Sequence, residues 1–144
     1  MFKSIKSNLD EPSIQELLEY AVVDDRSVEN VIEMYRSEED CKLYGYEAEG
    51  QIAGLVGYRV TKDKRELEIL HLAVHPANRY KGYGRALVLL SLTQEEPTSV
   101  VAVTDEEGTD FFRNIGFEIT GFRESNSTLE RFRCVYQVDE PEDE

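Results

Sequence analysis

The sequence is poor in cysteine, in basic residues and in tryptophan. Its 144 residues include two cysteines and no tryptophan, and 16 lysines and arginines stand against 30 aspartates and glutamates, for a formal net charge of −14. Cys41 and Cys134 lie far apart, without a neighbouring cysteine or histidine at zinc-finger spacing. We therefore expect reduced, buried thiols in a cytoplasmic protein, and we predict neither a disulfide nor a metal site.

The shortage of positive charge and of long apolar runs argues against two classes of partner. A chain this acidic repels nucleic acid. No apolar stretch approaches the roughly 20 residues that span a bilayer, and the N-terminal MFKSIKSNLDEP lacks a signal-peptide core. We expect no nucleic-acid or membrane partner. The acidity mildly favours cationic partners such as amines, although a solubilising surface is the more common reason for such a charge.

The length and the apolar content predict one folded domain. A chain of 144 residues with 40% hydrophobic and 10% aromatic residues can bury one good core. We assign residues 1–138 to this single domain. The acidic tail at residues 139–144 is predicted to be disordered.

The N-terminal third predicts a short strand at residues 2–6 and two amphipathic helices. Ser13 and Glu16 form a capping-box pattern for the first helix, and a polar turn at residues 24–27 precedes the second. Apolar residues recur at helical spacing in both. The two stripes are Ile14, Leu17, Leu18 and Ala21, then Val28, Val31, Ile32 and Tyr35.

The rest of the chain predicts an α/β fold with a mixed sheet. Three strand-like runs form an antiparallel meander: LYGYEA, IAGLVGYRV and LEILHLAV. A helix at residues 85–94 connects the third run to SVVAVT, which implies parallel pairing of those two strands. Thr104 and Glu107 form a capping box for a last helix that Gly116 ends. A terminal hairpin follows, with its turn at residues 124–127.

Residues 79–85, RYKGYGR, are the strongest functional signal. None of the 30 acidic residues lies between Ile69 and Gln94. This turn carries two glycines, Gly82 and Gly84, among basic residues. Backbone N–H groups at a helix start bind phosphate, and glycine lets a ligand approach closely. The turn therefore predicts a binding site for a polyanionic ligand.

RYKGYG matches the acetyl-CoA loop pattern Arg/Gln-x-x-Gly-x-Gly/Ala, with AVHP before it and FFRNIGF after it. On these motifs residues 43–138 resemble the GCN5-related N-acetyltransferase (GNAT) superfamily. The resemblance implies a GNAT-like acyl-CoA N-acyltransferase fold: N-terminal helices, an antiparallel meander, a central strand–phosphate loop–helix unit and a C-terminal β-hairpin. It is also compatible with a homodimer.

The resemblance implies acetyl-CoA as co-substrate and assigns its binding residues. Arg79 and Lys81 would flank the diphosphate. Backbone N–H groups would cradle it at Tyr80, Lys81, Gly82, Tyr83, Gly84 and Arg85. The strand at residues 67–74 would splay from that at residues 100–104, opening a V-shaped slot. Its backbone would bond the pantetheine arm at Leu72, Ala73 and Val74.

Glu68 is the first candidate for the base that deprotonates an amine acceptor. By strand alternation it shares a face with three apolar residues: Leu70, Leu72 and Val74. Burial there would raise its pKa toward that of a useful base, and the matching glutamate activates the amine in the histone-acetylating branch. The alternative is a carboxylate at the solvent end of the strand, paired with Lys64 or Arg65.

His71 is the rival candidate. Simple alternation places it on the opposite face, but a bulge in this strand would change that parity. A histidine in an apolar run is more often a hydrogen-bonded core residue.

Two residues depart from the family pattern. Phe112 stands where many members have a tyrosine that protonates the leaving thiolate, so solvent or Tyr83 is left for that role. Asp105 stands where an asparagine often contacts pantetheine. Four tyrosines are candidates for lining the acceptor site between the N-terminal helices and the meander: Tyr35, Tyr44, Tyr46 and Tyr58.

The sequence thus predicts an N-acetyltransferase that moves an acetyl group from acetyl-CoA to a primary amine, of a small molecule or a protein, by direct transfer. The departures at Phe112 and Asp105 leave open a non-catalytic acyl-CoA-binding module or sensor. A purely structural domain is a third alternative. The acceptor amine is not identifiable from the sequence.

Overall fold

The computed structural model describes residues 1–21, 27–63, 65–123 and 130–138. Its strands are β1 (Phe2–Ser4), β2 (Lys42–Ala48), β3 (Gln51–Val60), β4 (Glu66–Val74), β5 (Ser99–Thr104), β6 (Glu118–Arg123) and β7 (Glu130–Gln137). Its helices are α1 (Pro12–Ala21), α2 (Val28–Ser37), α3 (Tyr83–Glu95) and α4 (Glu106–Asn114), with short 3-10 helices at Lys6–Asn8 and Pro76–Asn78. None of the helices described is long and apolar enough to cross a membrane.

The seven strands form one sheet in the order β1-β2-β3-β4-β5-β7-β6. Neighbouring strands are antiparallel except β4 and β5, which are parallel. The predicted mixed sheet, the meander of β2, β3 and β4, and the parallel β4–β5 pair are confirmed. In the terminal hairpin it is β7, the last strand, that lies next to β5.

Helices cover both faces of the sheet and divide the core in two. The apolar stripes of α1 and α2 pack on one face, against Leu43, Leu55 and Ala73. On the other face α3 and α4 contribute Leu87 and Phe112 to a second cluster. Since β4 faces helices on both sides, its nearly continuous apolar sequence follows from its central position.

A bulge interrupts β4 in its middle. His71 pairs with Gly57, but the next pair toward the start of β4 is Ile69 with Tyr58, so Leu70 is the extra residue. Ile69 and Leu72 consequently lie on the same face of the sheet, toward α3 and α4, although they are three positions apart. Leu70 packs on the opposite face.

Three of the predicted helix starts are wrong by one or two residues, and α3 begins at Tyr83 rather than at Arg85. Because α1 begins at Pro12, Ser13 lies inside the helix rather than at its cap. Asp105 rather than Thr104 caps α4, and its side chain accepts a hydrogen bond of 3.1 Å from the backbone N–H of Gly108. Gly116, with φ of 98°, ends α4 as predicted.

Several predictions concern residues outside the described ranges. The turn at residues 124–127 and the tail at residues 139–144 lie there, as does most of the turn at residues 24–27. Ser27 is described, and its hydroxyl caps α2 by accepting from the N–H of Asn30 at 3.3 Å.

Candidate functional site

β4 and β5 separate halfway along their length. They pair from Glu66 with Ser99 to Ile69 with Ala102, and no further. β4 continues to Val74 and β5 to Thr104. The two strands therefore frame a slot that narrows to a split point at Ile69, which is the splay that the resemblance implies.

Beyond Ile69, part of the β4 backbone faces this slot instead of a neighbouring strand. The N–H of His75 donates to the carbonyl of Ala53 in β3 at 2.9 Å. Because backbone groups alternate in an antiparallel ladder, Ala73 also faces β3, whereas Leu72 and Val74 face the slot. Of the three residues expected to bond a pantetheine arm, Ala73 is therefore turned away. Leu72 and Val74 keep the expected orientation.

The loop between β4 and α3 lies at the open end of the slot. Its backbone turns sharply at Tyr80 and Gly82, with φ of 65° and 87°. Gly82 is the N-cap of α3 and supplies no side-chain hydrogen bond. Within the described part of the chain, the backbone N–H groups of residues 80–85 donate to no protein acceptor. These donors are available to a ligand, and the helix dipole adds partial positive charge there.

Three basic side chains surround the free N–H groups. Lys81 and Arg85 are exposed. Arg79 donates from Nε to the carbonyl of Val74 at 3.3 Å, and its guanidinium lies 5.8 Å from the ring centre of Tyr20. None of the three forms an ion pair with a described residue. Their charge is thus uncompensated in the region where an anion would sit.

Gly84 permits close packing between α3 and α4. A Cβ atom built on it would lie 2.9 Å from Cε1 of Phe111 and 3.7 Å from Cγ2 of Val74. Phe112, the neighbour of Phe111, is 6% exposed and packs edge-on against it with ring centres 5.1 Å apart. These contacts bring the start of α3, the rings of α4 and the end of β4 close together.

Tyr83, named above as an alternative proton donor for the leaving thiolate, is the first residue of α3, and its ring packs on that of Tyr46 with the ring centres 5.4 Å apart. Asp105, the cap of α4, also engages the backbone of its own helix.

Glu68 lies outside the open part of the slot. It belongs to the paired part of β4, opposite Val101, and its carboxylate forms an ion pair with Arg59 at 3.1 Å. The expectation that it shares a face with Leu72 and Val74 is wrong, because the bulge at Leu70 reverses the parity between them. The alternative expectation, a carboxylate paired with a basic residue, describes Glu68 better, although its partner is Arg59 rather than Lys64 or Arg65.

His71 is the first residue of β4 beyond the bulge. It is 3% exposed, and its Nδ1 lies 2.5 Å from the hydroxyl oxygen of Tyr35 in α2. Tyr35 and His71 are 36 positions apart in the sequence, and only the fold brings them into contact. Tyr35 is accordingly a core residue of the α1 and α2 face.

Three of the tyrosines expected to line an acceptor site lie elsewhere. Tyr44, Tyr46 and Tyr58 pack into the cluster on the α3 and α4 face. The expectation that they face the N-terminal helices is wrong because the register of β2 and β3 turns them to the other side of the sheet.

A cavity of about 590 Å³ opens beside α1 and the β2–β3 hairpin. Its lining includes Glu11, Glu16, Glu47 and His75. No residue of β5, α3 or α4 contributes to it. The cavity is therefore distinct from the slot between β4 and β5.

Comparison with known proteins identifies a family. A family model described as "Acetyltransferase (GNAT) domain" matches residues 39–119, more than half of the chain. A curated relative, the uncharacterized N-acetyltransferase in the lysA 3′ region of Bacillus methanolicus, is 34% identical over 63 residues, which are 44% of this chain and 52% of that protein. The chain thus spans about half the length of the curated relative it matches.

Solved structures share the whole fold. The ribosomal-protein-S18-alanine N-acetyltransferase from Escherichia coli superposes with a TM-score of 0.77 at 16% identity, covering 99% of this chain and 96% of that one. A GNAT family acetyltransferase from Elizabethkingia anophelis with acetyl-CoA bound gives a TM-score of 0.71 at 18% identity, covering 96% and 97%. At these identities the similarity establishes the fold. Together with the family match, it shows that this chain belongs to the GNAT family of acetyltransferases.

Proposed function

We propose that the protein is an N-acetyltransferase that transfers the acetyl group of acetyl-CoA directly to a primary amine. One observation carries the proposal: uncapped N–H groups at the start of α3 adjoin an edge of β4 that pairs with no residue of β5. The first set matches a diphosphate and the second matches the amides of a pantetheine arm. The two groups of protein atoms lie next to each other, just as the diphosphate and the pantetheine arm are joined in one molecule of CoA.

In this proposal the diphosphate is held by the backbone N–H groups of residues 80–85, with Lys81 and Arg85 as neighbouring charges. The pantetheine arm extends the sheet along Leu72 and Val74 as an added strand would. Its thioester then lies near the split point at Ile69. Direct transfer requires an amine at the same point and a group that takes the ammonium proton.

Two measurements test the proposal. Titration calorimetry with CoA measures binding, and release of free thiol from acetyl-CoA across a panel of primary amines measures turnover. We expect saturable binding of CoA and thiol release that depends on the amine. An absence of CoA binding would contradict the assignment of the slot.

A second candidate function is a non-catalytic acyl-CoA-binding module. It is favoured by Phe112, which has no hydroxyl and packs in the core, and by Glu68, which is paired with Arg59. This candidate predicts CoA binding without thiol release for any amine of the panel. The two measurements therefore separate the candidates.

A further inference from the structure

Tyr20, in the last turn of α1, lies against the segment that joins β4 to the loop before α3. Its ring centre is 5.8 Å from the guanidinium carbon of Arg79. The ring of His75 meets it edge to face, with the ring centres 6.2 Å apart. His75 and Arg79 stand at the two ends of the short 3-10 helix Pro76–Asn78. One side chain of α1 therefore contacts both ends of this segment.

Arg79 is held by two contacts that use different parts of its side chain. Its Nε donates to the carbonyl oxygen of Val74, the last residue of β4, at 3.3 Å, and its guanidinium lies over the ring of Tyr20. A guanidinium over an aromatic ring is attracted by the negative electrostatic potential of the ring face. The two contacts together restrict the rotamers that the long side chain of Arg79 can adopt.

The terminal nitrogens of Arg79 remain available to a ligand. Within the described residues, Arg79 forms no ion pair, and its side chain donates no hydrogen bond other than the one from Nε. The N–H groups of Nη1 and Nη2 are thus free to bind an anion. A planar guanidinium with free terminal nitrogens is well suited to a phosphate group.

The contact with Val74 places Arg79 between the two parts of the proposed CoA site. Val74 ends the strand edge that would bond the pantetheine arm, and Tyr80, which follows Arg79, begins the run of free N–H groups. A carbonyl oxygen has two lone pairs, so the one on Val74 can still accept from an amide of the arm. Arg79 therefore lies where the arm would meet the diphosphate.

An arginine that is ordered before the ligand arrives binds a phosphate more tightly than a mobile one. A mobile side chain loses rotamer freedom on binding, and this loss reduces the affinity. Tyr20 belongs to a helix whose buried stripe anchors it to the sheet, so its ring is a fixed support. Because Tyr20 is 46% exposed, burial explains its position less well than the contact with Arg79 does.

We propose that Tyr20 is a positioning residue that orders the guanidinium of Arg79 for the diphosphate of CoA. The inference rests on the proposed acetyltransferase function. It adds to the CoA site a residue of α1, a helix that packs on the opposite face of the sheet from α3. Tyr20 acts through Arg79 and does not itself contact the diphosphate.

The test measures CoA affinity by titration calorimetry for the wild type, Tyr20→Leu and Tyr20→Phe. We expect Tyr20→Leu to weaken CoA binding about two- to fivefold, the range of an exposed cation–π contact. Tyr20→Phe keeps the aromatic face and should bind CoA as the wild type does. Since the side chain is partly exposed, both variants should fold, and thermal melting checks that they do.

A double-mutant cycle with Arg79→Gln isolates the interaction of the two residues. Tyr20 also contacts His75, but Tyr20→Leu removes that contact equally whether or not Arg79 is present. We expect Arg79→Gln alone to weaken CoA binding about tenfold, as for the loss of a hydrogen bond to a charged group. In the Arg79→Gln background, Tyr20→Leu should leave the affinity unchanged.

Two further measurements serve as controls. Dephospho-CoA lacks the 3′-phosphate of CoA but keeps the diphosphate, so Tyr20→Leu should weaken its binding by the same factor as that of CoA. Arg36→Gln removes a guanidinium from α2, where Arg36 pairs with Asp10. It controls for the loss of one positive charge and should not weaken CoA binding measurably.

Several results would overturn the inference alone if the wild type binds CoA. They are an unchanged affinity in Tyr20→Leu, an equal loss in Tyr20→Phe, and a loss in Tyr20→Leu that persists without Arg79. A loss seen with CoA but not with dephospho-CoA would assign Arg79 to the 3′-phosphate and would also contradict it. If the wild type binds no CoA, the proposed function fails, and the inference fails with it.

Discussion

The carboxylate of Glu95, the last residue of α3, connects the helix to strands β2 and β3 of the sheet. It accepts hydrogen bonds from Nζ of Lys42 at 2.9 Å and from the hydroxyl of Tyr58 at 2.7 Å. Burial raises the pKa of the Glu95 carboxyl, but these hydrogen bonds outweigh it and hold the pKa below the ordinary value of 4.5. Burial and the neighbouring carboxylate raise the pKa of Tyr58, so this tyrosine stays protonated as a donor.

The lowered pKa of Glu95 makes part of the folding stability depend on pH. The ionised carboxylate stabilises the fold at pH values above its unfolded pKa, and this contribution is lost as the pH falls through the lower folded pKa. We expect Glu95→Gln to reduce the free energy of unfolding by about 1–2 kcal/mol at neutral pH, as for a hydrogen bond to a charged group.

The measurement is urea unfolding of the wild type and Glu95→Gln at neutral pH and at about pH 3.5, below the unperturbed glutamate pKa of about 4.3. The difference between the two proteins should shrink at the lower pH. A difference that is constant or grows on acidification would contradict the assigned pKa direction.

At the scale of elements, the start of α3 differs from those of α2 and α4. Ser27 caps α2 and Asp105 caps α4, each through a side-chain oxygen. Gly82 begins α3 with no side chain at all. In α2 and α4 the cap side chain accepts from one of the first backbone N–H groups, whereas no side chain does so at the start of α3.

The substitution Gly82→Asp should weaken the binding of CoA by charge repulsion. A Cβ atom at Gly82 would meet no atom within 4 Å, and aspartate and asparagine tolerate the left-handed backbone better than most residues. The carboxylate would cap α3 and repel the diphosphate, so we expect CoA affinity to fall about tenfold or more, about 1.4 kcal/mol.

Gly82→Asn is the control for Gly82→Asp, because it has nearly the same shape without the charge. Calorimetry with CoA should give a smaller loss for asparagine than for aspartate. Equal losses in the two variants would argue against a bound diphosphate at this helix start.

At the scale of the whole molecule, the net charge of −14 is distributed unevenly. The first turn of α3 contains no acidic residue. The loop that precedes α3 is likewise free of them, although the chain holds 30. In the proposed function this positive region receives the diphosphate of CoA, and the acidic surface around it favours a cationic acceptor.

Such a net charge should destabilise the compact state by repulsion among its own carboxylates. We expect the melting temperature to rise between about 10 mM and 150 mM NaCl, because the Debye length falls from about 30 Å to about 8 Å over this range. Scanning calorimetry at constant pH measures the melting temperature at each salt concentration.

A double variant, Glu19→Gln with Glu33→Gln, provides the comparison. Both residues are exposed on their helices, and the variant should show a smaller rise in melting temperature with salt. A melting temperature that falls with salt would indicate that attractive ion pairs outweigh the net repulsion.

Much of the fold was predictable because the signals are local. The stripes of α1 and α2 repeat with the helical period, Gly116 adopts the backbone that a helix end requires, and RYKGYG combines glycine and positive charge within a few residues. A local pattern of this kind specifies its own conformation, and so the elements, the mixed sheet and the loop followed from the sequence.

The positions of the candidate catalytic residues were not predictable in the same way. One bulged residue, Leu70, changes the face of everything that precedes it in β4, and it exists only in the pairing with β3. For that reason alternation put Glu68 on the wrong face. Strand register likewise decided which tyrosines face the N-terminal helices.

The sequence by itself thus determined the period and type of each element and the cationic glycine turn that begins α3, because these depend on residues close together in the chain. The tertiary structure alone decided the split between β4 and β5 and the contact of Tyr35 with His71, whose positions differ by 36. Such contacts depend on pairing and packing between distant segments, which no local pattern encodes.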